Sequence, residues 1–273
     1  MKKKLSLQKT ILVTGAARGL GRAMTLALAK KGFSVCAIDL ATSSDQMADL
    51  INTSKSEGTD DLIVPIVGDI SNEDDCKTIV DDCIARFGEV HGLVNNAGRG
   101  MQDIGPVLVG QRTKFYEVDP SLWRGVVDTN VNGPFIMTRA IVPHLLSNGW
   151  GRIVNIVTSF STMQAVGFSP YGPTKAALEA ATAIWSKDLS DTGVTVNALL
   201  PGRAANTRMI PESEITDRSS LVQPKEMGPP IIWLMSSESD GVTGKRFIAQ
   251  GWRTPSKQDA GKEPSYVSAG FPL

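Results

Sequence analysis

Residues 11–21 read ILVTGAARGLG, and this stretch decides the fold. Ile11 to Thr14 form an apolar or β-branched run with no polar alternation, as in a parallel strand covered on both faces. The chain then turns through Gly15, Gly19 and Gly21, spaced G-x3-G-x-G rather than G-x-G-x-x-G. A helix from Leu20 follows. Strand, glycine turn and helix make the opening of a βαβ unit. The glycines let the backbone approach a pyrophosphate, and the helix N-terminus aims free N–H groups at that anion. A glycine turn alone is a weak signal; its position between strand and helix is what strengthens it.

Outward from this turn the same rhythm repeats. Apolar runs at Ile11–Thr14, Ser34–Asp39, Leu62–Val67, Gly92–Asn95, Arg152–Val157, Thr195–Leu200 and Phe247–Ala249 are the strand candidates. Helical spacing predicts helices at about Leu20–Lys31, Ser43–Glu57, Asn72–Phe87, Pro120–Leu146, Pro170–Asp191 and Lys225–Met235. Ser71 is the expected N-cap of the third, and Gly32 and Gly88 sit where helices end. Residues 1–252 read as one domain, and 253–273 as a polar C-terminal tail, disordered or lying on a partner subunit. Two long loops, Gly98–Pro120 and Pro201–Pro224, break the rhythm and are expected to carry function.

Composition narrows the function. Lys+Arg and Asp+Glu both number 28, so no basic excess points to nucleic acid or an anionic membrane. The start, MKKKLSLQKT, lacks an apolar core of about seven residues and is not a secretory signal. No run reaches the about 18 apolar residues of a membrane span. Cys36, Cys76 and Cys83 form no CxxC, so a reducing, cytoplasmic setting is expected. His91 and His144 have no partners at ligand spacing, and no metal site is expected.

Asp39 ends the second strand, 24 residues after Gly15, with Leu40 behind it. A carboxylate there accepts both hydroxyls of an adenosine ribose and repels a 2′-phosphate, which favours NAD over NADP. Arg18 pulls the other way, because it could pair with that phosphate.

These motifs, taken in order, resemble the short-chain dehydrogenase/reductase family from about Leu12 to Gly251. The turn Thr14–Gly21 is similar to the family's phosphate loop. Gly68-Asp69-Ile70 resembles the element that meets the adenine, and Asn95-Asn96-Ala97-Gly98 the NNAG motif flanking the cofactor. Asn130 matches the helix asparagine of the catalytic set, and Tyr171 with Lys175 matches Y-x3-K. Pro201-Gly202 matches the PG after strand six, and Thr207 the threonine on the nicotinamide amide. The resemblance implies an α/β, Rossmann-like, doubly wound sheet of seven parallel strands, ordered 3-2-1-4-5-6-7, with helices on both faces. It also implies an NAD(P)-dependent oxidoreductase that assembles as a homo-oligomer, dimer or tetramer.

The chemistry follows from the residue types. Hydride transfer between an alcohol and a nicotinamide moves a proton the opposite way. A tyrosine, with a pKa of about 10, is a poor base near neutrality. An ammonium at about 4 Å is worth roughly 4 kcal/mol at a dielectric of about 20, bounding the drop at about three pKa units. Lys175 supplies that charge from one turn along the same helix face. Pro173 between them is tolerable only near a helix start, so the pair is expected there.

The stretch VTSFST (Val157–Thr162) offers the hydroxyl partner. The family's serine usually precedes the tyrosine by 13 residues, and here that position is Thr158, with Ser159 next. Neighbours at a strand end face opposite sides, so Thr158 is favoured, with Ser159 as its rival. Phe160, Met163, Val166 and Phe168 could line a substrate pocket or pack beneath the loop. Arg99, Arg112 and Lys114 could hold a carboxylate, as of a hydroxy acid, or lie in solvent. Three functions remain open: an NAD-dependent alcohol/ketone oxidoreductase, an NADPH-dependent ketone reductase, and a catalytically silent dinucleotide sensor.

Overall fold

The computed structural model describes residues 8–107, 110–255 and 266–271. The first seven residues of MKKKLSLQKT, loop positions 108–109 and the tail positions 256–265 and 272–273 lie outside the described residues. Seven strands run parallel: β1 (Thr10–Thr14), β2 (Ser34–Asp39), β3 (Ile63–Val67), β4 (Gly92–Asn95), β5 (Gly151–Ile156), β6 (Val194–Leu200) and β7 (Lys245–Ile248). Their order is 3-2-1-4-5-6-7, as the resemblance implies. An eighth strand, β8 (Tyr266–Ser268), extends the sheet. It runs antiparallel to β7, pairing Val267 with Arg246. The parallel part therefore has the expected seven strands. Residues 266–268 of the tail, expected to be disordered or to lie on a partner subunit, instead add an antiparallel edge to the chain's own sheet.

Alternation along the strands builds two cores. Ile11 and Val13 of β1 face one layer, and Leu12 faces the other. Val35 and Ala37 of β2 side with Ile11, while Cys36 and Ile38 side with Leu12. Period-two side chains on a sheet covered twice give these unbroken apolar runs. The first layer is closed by α1 (Gly19–Lys30), α2 (Ser44–Ser56) and the last helix. The second is closed by α3 (Glu73–Phe87) and the long middle helices. Fully burying such a side chain contributes about 1.5–3 kcal/mol.

Three local departures have physical causes. Asn72, not Ser71, caps α3 by accepting from Asp75 N–H, because the Ser71 hydroxyl donates to Asp69 Oδ1 at 2.7 Å. The middle helix is not continuous. It divides into α4 (Pro120–Val127), a π-helical turn at Asp128–Asn132, and α5 (Gly133–Asn148). Such turns are rare and gather at functional sites. After α6 (Phe160–Met163) and α7 (Tyr171–Asp188), the last helix begins as a 3-10 turn at Pro224–Met227 before α8 (Gly228–Leu234). In α8, Pro230, Ile231, Trp233 and Leu234 are buried, so this apolar run is core rather than a free subunit face. Among the described residues, no helix is long and apolar enough to cross a membrane. All three cysteines are buried thiols.

Candidate active site

At the carboxyl ends of the strands lies one cleft of about 1320 Å³. That is larger than the roughly 300–1,000 Å³ of a typical small-ligand pocket, and suits an extended dinucleotide with a substrate. Its floor is the glycine turn, braced from β4. The Thr14 hydroxyl accepts from Asn96 N–H and Ala97 N–H, both at 3.0 Å. Asn96 Nδ2 donates to the carbonyls of Thr14 (2.9 Å) and Gly15 (3.0 Å). Gly21 lies under the turn, where a Cβ would come within 2.0 Å of the Gly15 carbonyl. No other residue fits there. Gly15, Arg18, Gly19, Leu20, Asn96, Ala97 and Gly98 line the cleft, while Gly21 supports it from behind.

Asp39, at the end of β2, accepts from Ala17 N–H through Oδ2 and from Leu40 N–H through Oδ1, each at 2.9 Å. Each carboxylate oxygen keeps a further lone pair for a ligand hydroxyl. Asp39, Leu40, Asp69 and Ile70 all line the cleft. Asp69 Oδ1 is used by the Ser71 amide and hydroxyl, which fixes the turn after β3. Arg18 also lines the cleft and donates to the Ser43 hydroxyl at 3.0 Å. Pro201, Gly202 and Thr207 also line the cleft, with Thr207 beside Gly19.

Tyr171 is the first residue of α7, Pro173 the third and Lys175 the fifth, so the proline falls in the first turn as its chemistry requires. Thr158 and Tyr171 both line the cleft, and the Thr158 hydroxyl lies close enough to the phenol to pull its pKa down. Ser159 lines the cleft too, but its hydroxyl is committed elsewhere. Its Oγ accepts from Thr162 N–H and caps α6. Lys175 is buried, and its Nζ donates to the Ile156 carbonyl at 2.7 Å. A Cβ on Gly98 would lie 3.2 Å from Asn130 Oδ1 and 3.6 Å from Lys175 Nζ, so NNAG, the π-turn and Lys175 converge.

The family model "short chain dehydrogenase" matches residues 9–217. The chain belongs to that family. As a short-chain dehydrogenase it is an NAD(P)-dependent oxidoreductase acting on CH–OH and carbonyl groups. It is 29% identical over 245 residues to the 3-oxoacyl-[acyl-carrier-protein] reductase FabG of Thermotoga maritima, covering 87% of this chain and 94% of that protein. It is 33% identical to nodulation protein G of Azospirillum brasilense, covering 89% and 97%. A gluconate 5-dehydrogenase from Burkholderia cenocepacia, solved with NADP and tartrate, superposes with a TM-score of 0.74 at 25% identity, covering 88% and 92%. A putative short chain dehydrogenase from Shigella flexneri, solved with NADP, gives 0.76 at 25%, covering 90% and 100%.

One expectation about this dehydrogenase needs correction. Lys175 was expected to draw the Tyr171 pKa down. Instead burial pushes Tyr171 up to about 12, with only the Thr158 hydroxyl pulling it back. Burial also lowers Lys175 to about 8. The ammonium is turned to the Ile156 carbonyl, 6.0 Å from the centre of the tyrosine ring, and desolvation outweighs its attraction. Asn130 is held from both sides. Its Oδ1 accepts from Arg99 N–H at 2.8 Å, and its Nδ2 donates to Arg99 O (2.9 Å) and Thr174 Oγ1 (3.1 Å). Both amide protons are spent, so the side chain anchors the loop after β4.

Sequence reasoning also spread the pocket too widely. Of the four apolar residues after β5, only Phe168 lines the cleft, where its ring meets Tyr171 at 6.4 Å. Val166 is 68% exposed, Met163 is core, and Phe160 packs away from the cleft. Arg112 stacks on Phe168 at 4.7 Å but does not line the cleft; Arg99 does. Arg218 was missed altogether. It donates to Asn206 Oδ1, Ile210 O and Thr207 O, and so pins the loop that carries Thr207. No local motif marks it, because its partners are 8 to 12 residues away in an irregular loop.

Proposed function

We propose that this dehydrogenase transfers a hydride between NAD and a secondary alcohol or ketone, with Tyr171 exchanging the substrate proton. The observation that carries this reading is that Thr158, Tyr171 and buried Lys175 gather in the same cleft as the glycine turn. A bound nicotinamide supplies the hydride acceptor or donor. In oxidation, the alcohol C–H electron pair leaves as hydride while the Tyr171 oxygen takes the O–H proton; reduction reverses both. Thr158 donates its hydroxyl to the developing tyrosinate, which favours the charged form. Lys175 contributes positive potential and a grip on the nicotinamide ribose. Asn130 holds Arg99 and the π-turn against Lys175.

Asp39 supports NAD, because its carboxylate faces the ribose end with lone pairs to spare. A second reading, use of NADPH, draws on Arg18 in the same wall and on the NADP held by both solved relatives. A silent sensor would have no need of the Thr158–Tyr171–Lys175 cluster.

The names of the relatives suggest the carbonyls to try: an acetoacetyl thioester, ethyl acetoacetate and 5-keto-gluconate. Each is offered with NADH and with NADPH, against Tyr171→Phe as the control. Turnover of one or more, lost in the control, supports the mechanism; near-normal turnover in the control sinks it. A clear preference for NADPH overturns the cofactor assignment alone. Assembly as a homo-oligomer belongs to the same proposal. Trp123 and Phe135 are 36% and 52% exposed on α4 and α5, and light scattering reads the mass directly.

A further inference from the structure

Glu179 of α7 and Arg246 of β7 form an ion pair, Nη1 to Oε2 at 2.5 Å, with Glu179 fully buried and Arg246 5% exposed. Such a pair is a poor source of stability, since well-packed apolar residues often serve as well or better. Its other bonds all lead to the active site or to the C-terminal segment. Arg246 Nη2 donates to the main-chain carbonyl of Thr158 at 2.7 Å. The Arg246 guanidinium lies 4.1 Å from the Phe160 ring centre, at the start of α6. Glu179 Oε1 accepts from Gly270 N–H at 3.2 Å. The Phe271 ring packs on Phe160 with centres 5.7 Å apart.

One ion pair therefore ties three segments together. They are the end of β5 with Thr158, the helix that begins with Tyr171, and the stretch following β8. Neither charged residue lines the cleft. We propose that Arg246, held by Glu179, is a positioning residue that fixes Thr158 against Tyr171, and that residues 269–271 are the cover that keeps the pair dry. The C-terminal segment thereby sets how well the proton-transfer pair is aligned. This rests on the role proposed for Thr158.

The planar guanidinium explains the choice of arginine. It divides its fork between Glu179 Oε2 and the Thr158 carbonyl at fixed geometry, which a lysine ammonium on a flexible stem does not reproduce. Misalignment by a fraction of an ångström at a reacting group is costly in rate. The loss belongs in kcat, because the glycine turn and Asp39 are untouched.

The test is Arg246→Lys, which keeps the charge and removes the fork. In the cofactor-free protein, amide exchange is expected to rise together in residues 159–163 and 269–271. With the ketone best reduced in the panel above, kcat is expected to fall about tenfold, with NADH affinity by fluorescence unchanged. In a Thr158→Val background, Arg246→Lys is expected to change kcat by less than about twofold, because it acts through Thr158. Should Arg246→Lys fold poorly, Glu179→Leu combined with Arg246→Met removes both charges at similar volume and is expected to show the same pattern. Unchanged kcat in the Arg246 variants, while Thr158→Val alone is impaired, overturns the proposal. So do losses that multiply independently in the double variant. If Thr158→Val itself leaves kcat unchanged, the role assigned to Thr158 fails first, and the positioning role fails with it.

Discussion

Asn130 and Arg99 are joined twice, by Arg99 N–H to Oδ1 at 2.8 Å and by Nδ2–H to Arg99 O at 2.9 Å. Asn130 is fully buried in the π-turn, and Arg99 opens the long loop after NNAG. Asn130→Ala would strand the backbone amide and carbonyl of Arg99. Each buried unpaired group costs about 1–3 kcal/mol. The expected outcome is a stability loss of about 2–4 kcal/mol in urea unfolding, with a raised KM for the cofactor. An unchanged midpoint would show that water replaces these bonds.

Thr158 and Ser159 are adjacent, but they work in different places. Thr158→Val is expected to lower kcat by about 10²-fold, the usual scale for a lost proton-transfer partner, with stability nearly intact. Ser159→Ala removes the α6 cap and should cost about 0.5–2 kcal/mol of stability, with little change in kcat per folded molecule. Steady-state kinetics beside thermal melts separates the two. The reverse pattern would return the catalytic role to Ser159.

Lys175 titrates at about 8 in the folded protein, against 10.5 in the unfolded chain. The folded state therefore sheds this proton first. Its burial destabilises the protein below pH 8, and the penalty is relieved as pH climbs toward 10.5. Lys175→Met removes a penalty of about 3 kcal/mol but leaves the Ile156 carbonyl unpaired at about 1–3 kcal/mol. The variant should be more stable than the parent by about 1 kcal/mol near neutrality and lose that advantage near pH 10. Its activity should be nearly abolished. Urea titrations at the two pH values check the sign; an advantage that grows with pH would contradict it.

Asp39→Ser would remove the negative charge at the ribose end while leaving Arg18 in place. The ratio of kcat/KM for NADPH over NADH is expected to rise at least tenfold, about 1.4 kcal/mol of differential binding. The Ala17 and Leu40 amides also lose an acceptor, so NADH affinity should fall in the same variant. Fluorescence titration with each cofactor reads both effects.

Particular residues show how far the sequence reached. The strands were legible because a doubly covered parallel sheet turns alternate residues toward two mainly apolar layers. The glycine turn, Asp39 and the Y-x3-K pair could be picked out as candidates because each chemistry needs fixed spacing within one or two elements. The π-turn at Asn130 was not legible, since one extra residue per turn leaves no mark in the hydrophobic pattern. Nor was the role of Arg218, whose partners lie in an irregular loop.

By itself, the sequence determined a single-sheet nucleotide-binding fold and the spacing that marks Tyr171 and Lys175 as candidates. Local spacing is enough to encode both. Only the tertiary structure separates Thr158 from Ser159, because the Ser159 hydroxyl caps a helix while the Thr158 hydroxyl lies beside Tyr171. It also reversed the direction of the Tyr171 pKa, because burial acts through the whole surrounding packing while the lysine acts through one distance. It brought Gly270 to Glu179, 91 positions apart. Such a contact depends on how the last strand closes the sheet, and no local pattern records it.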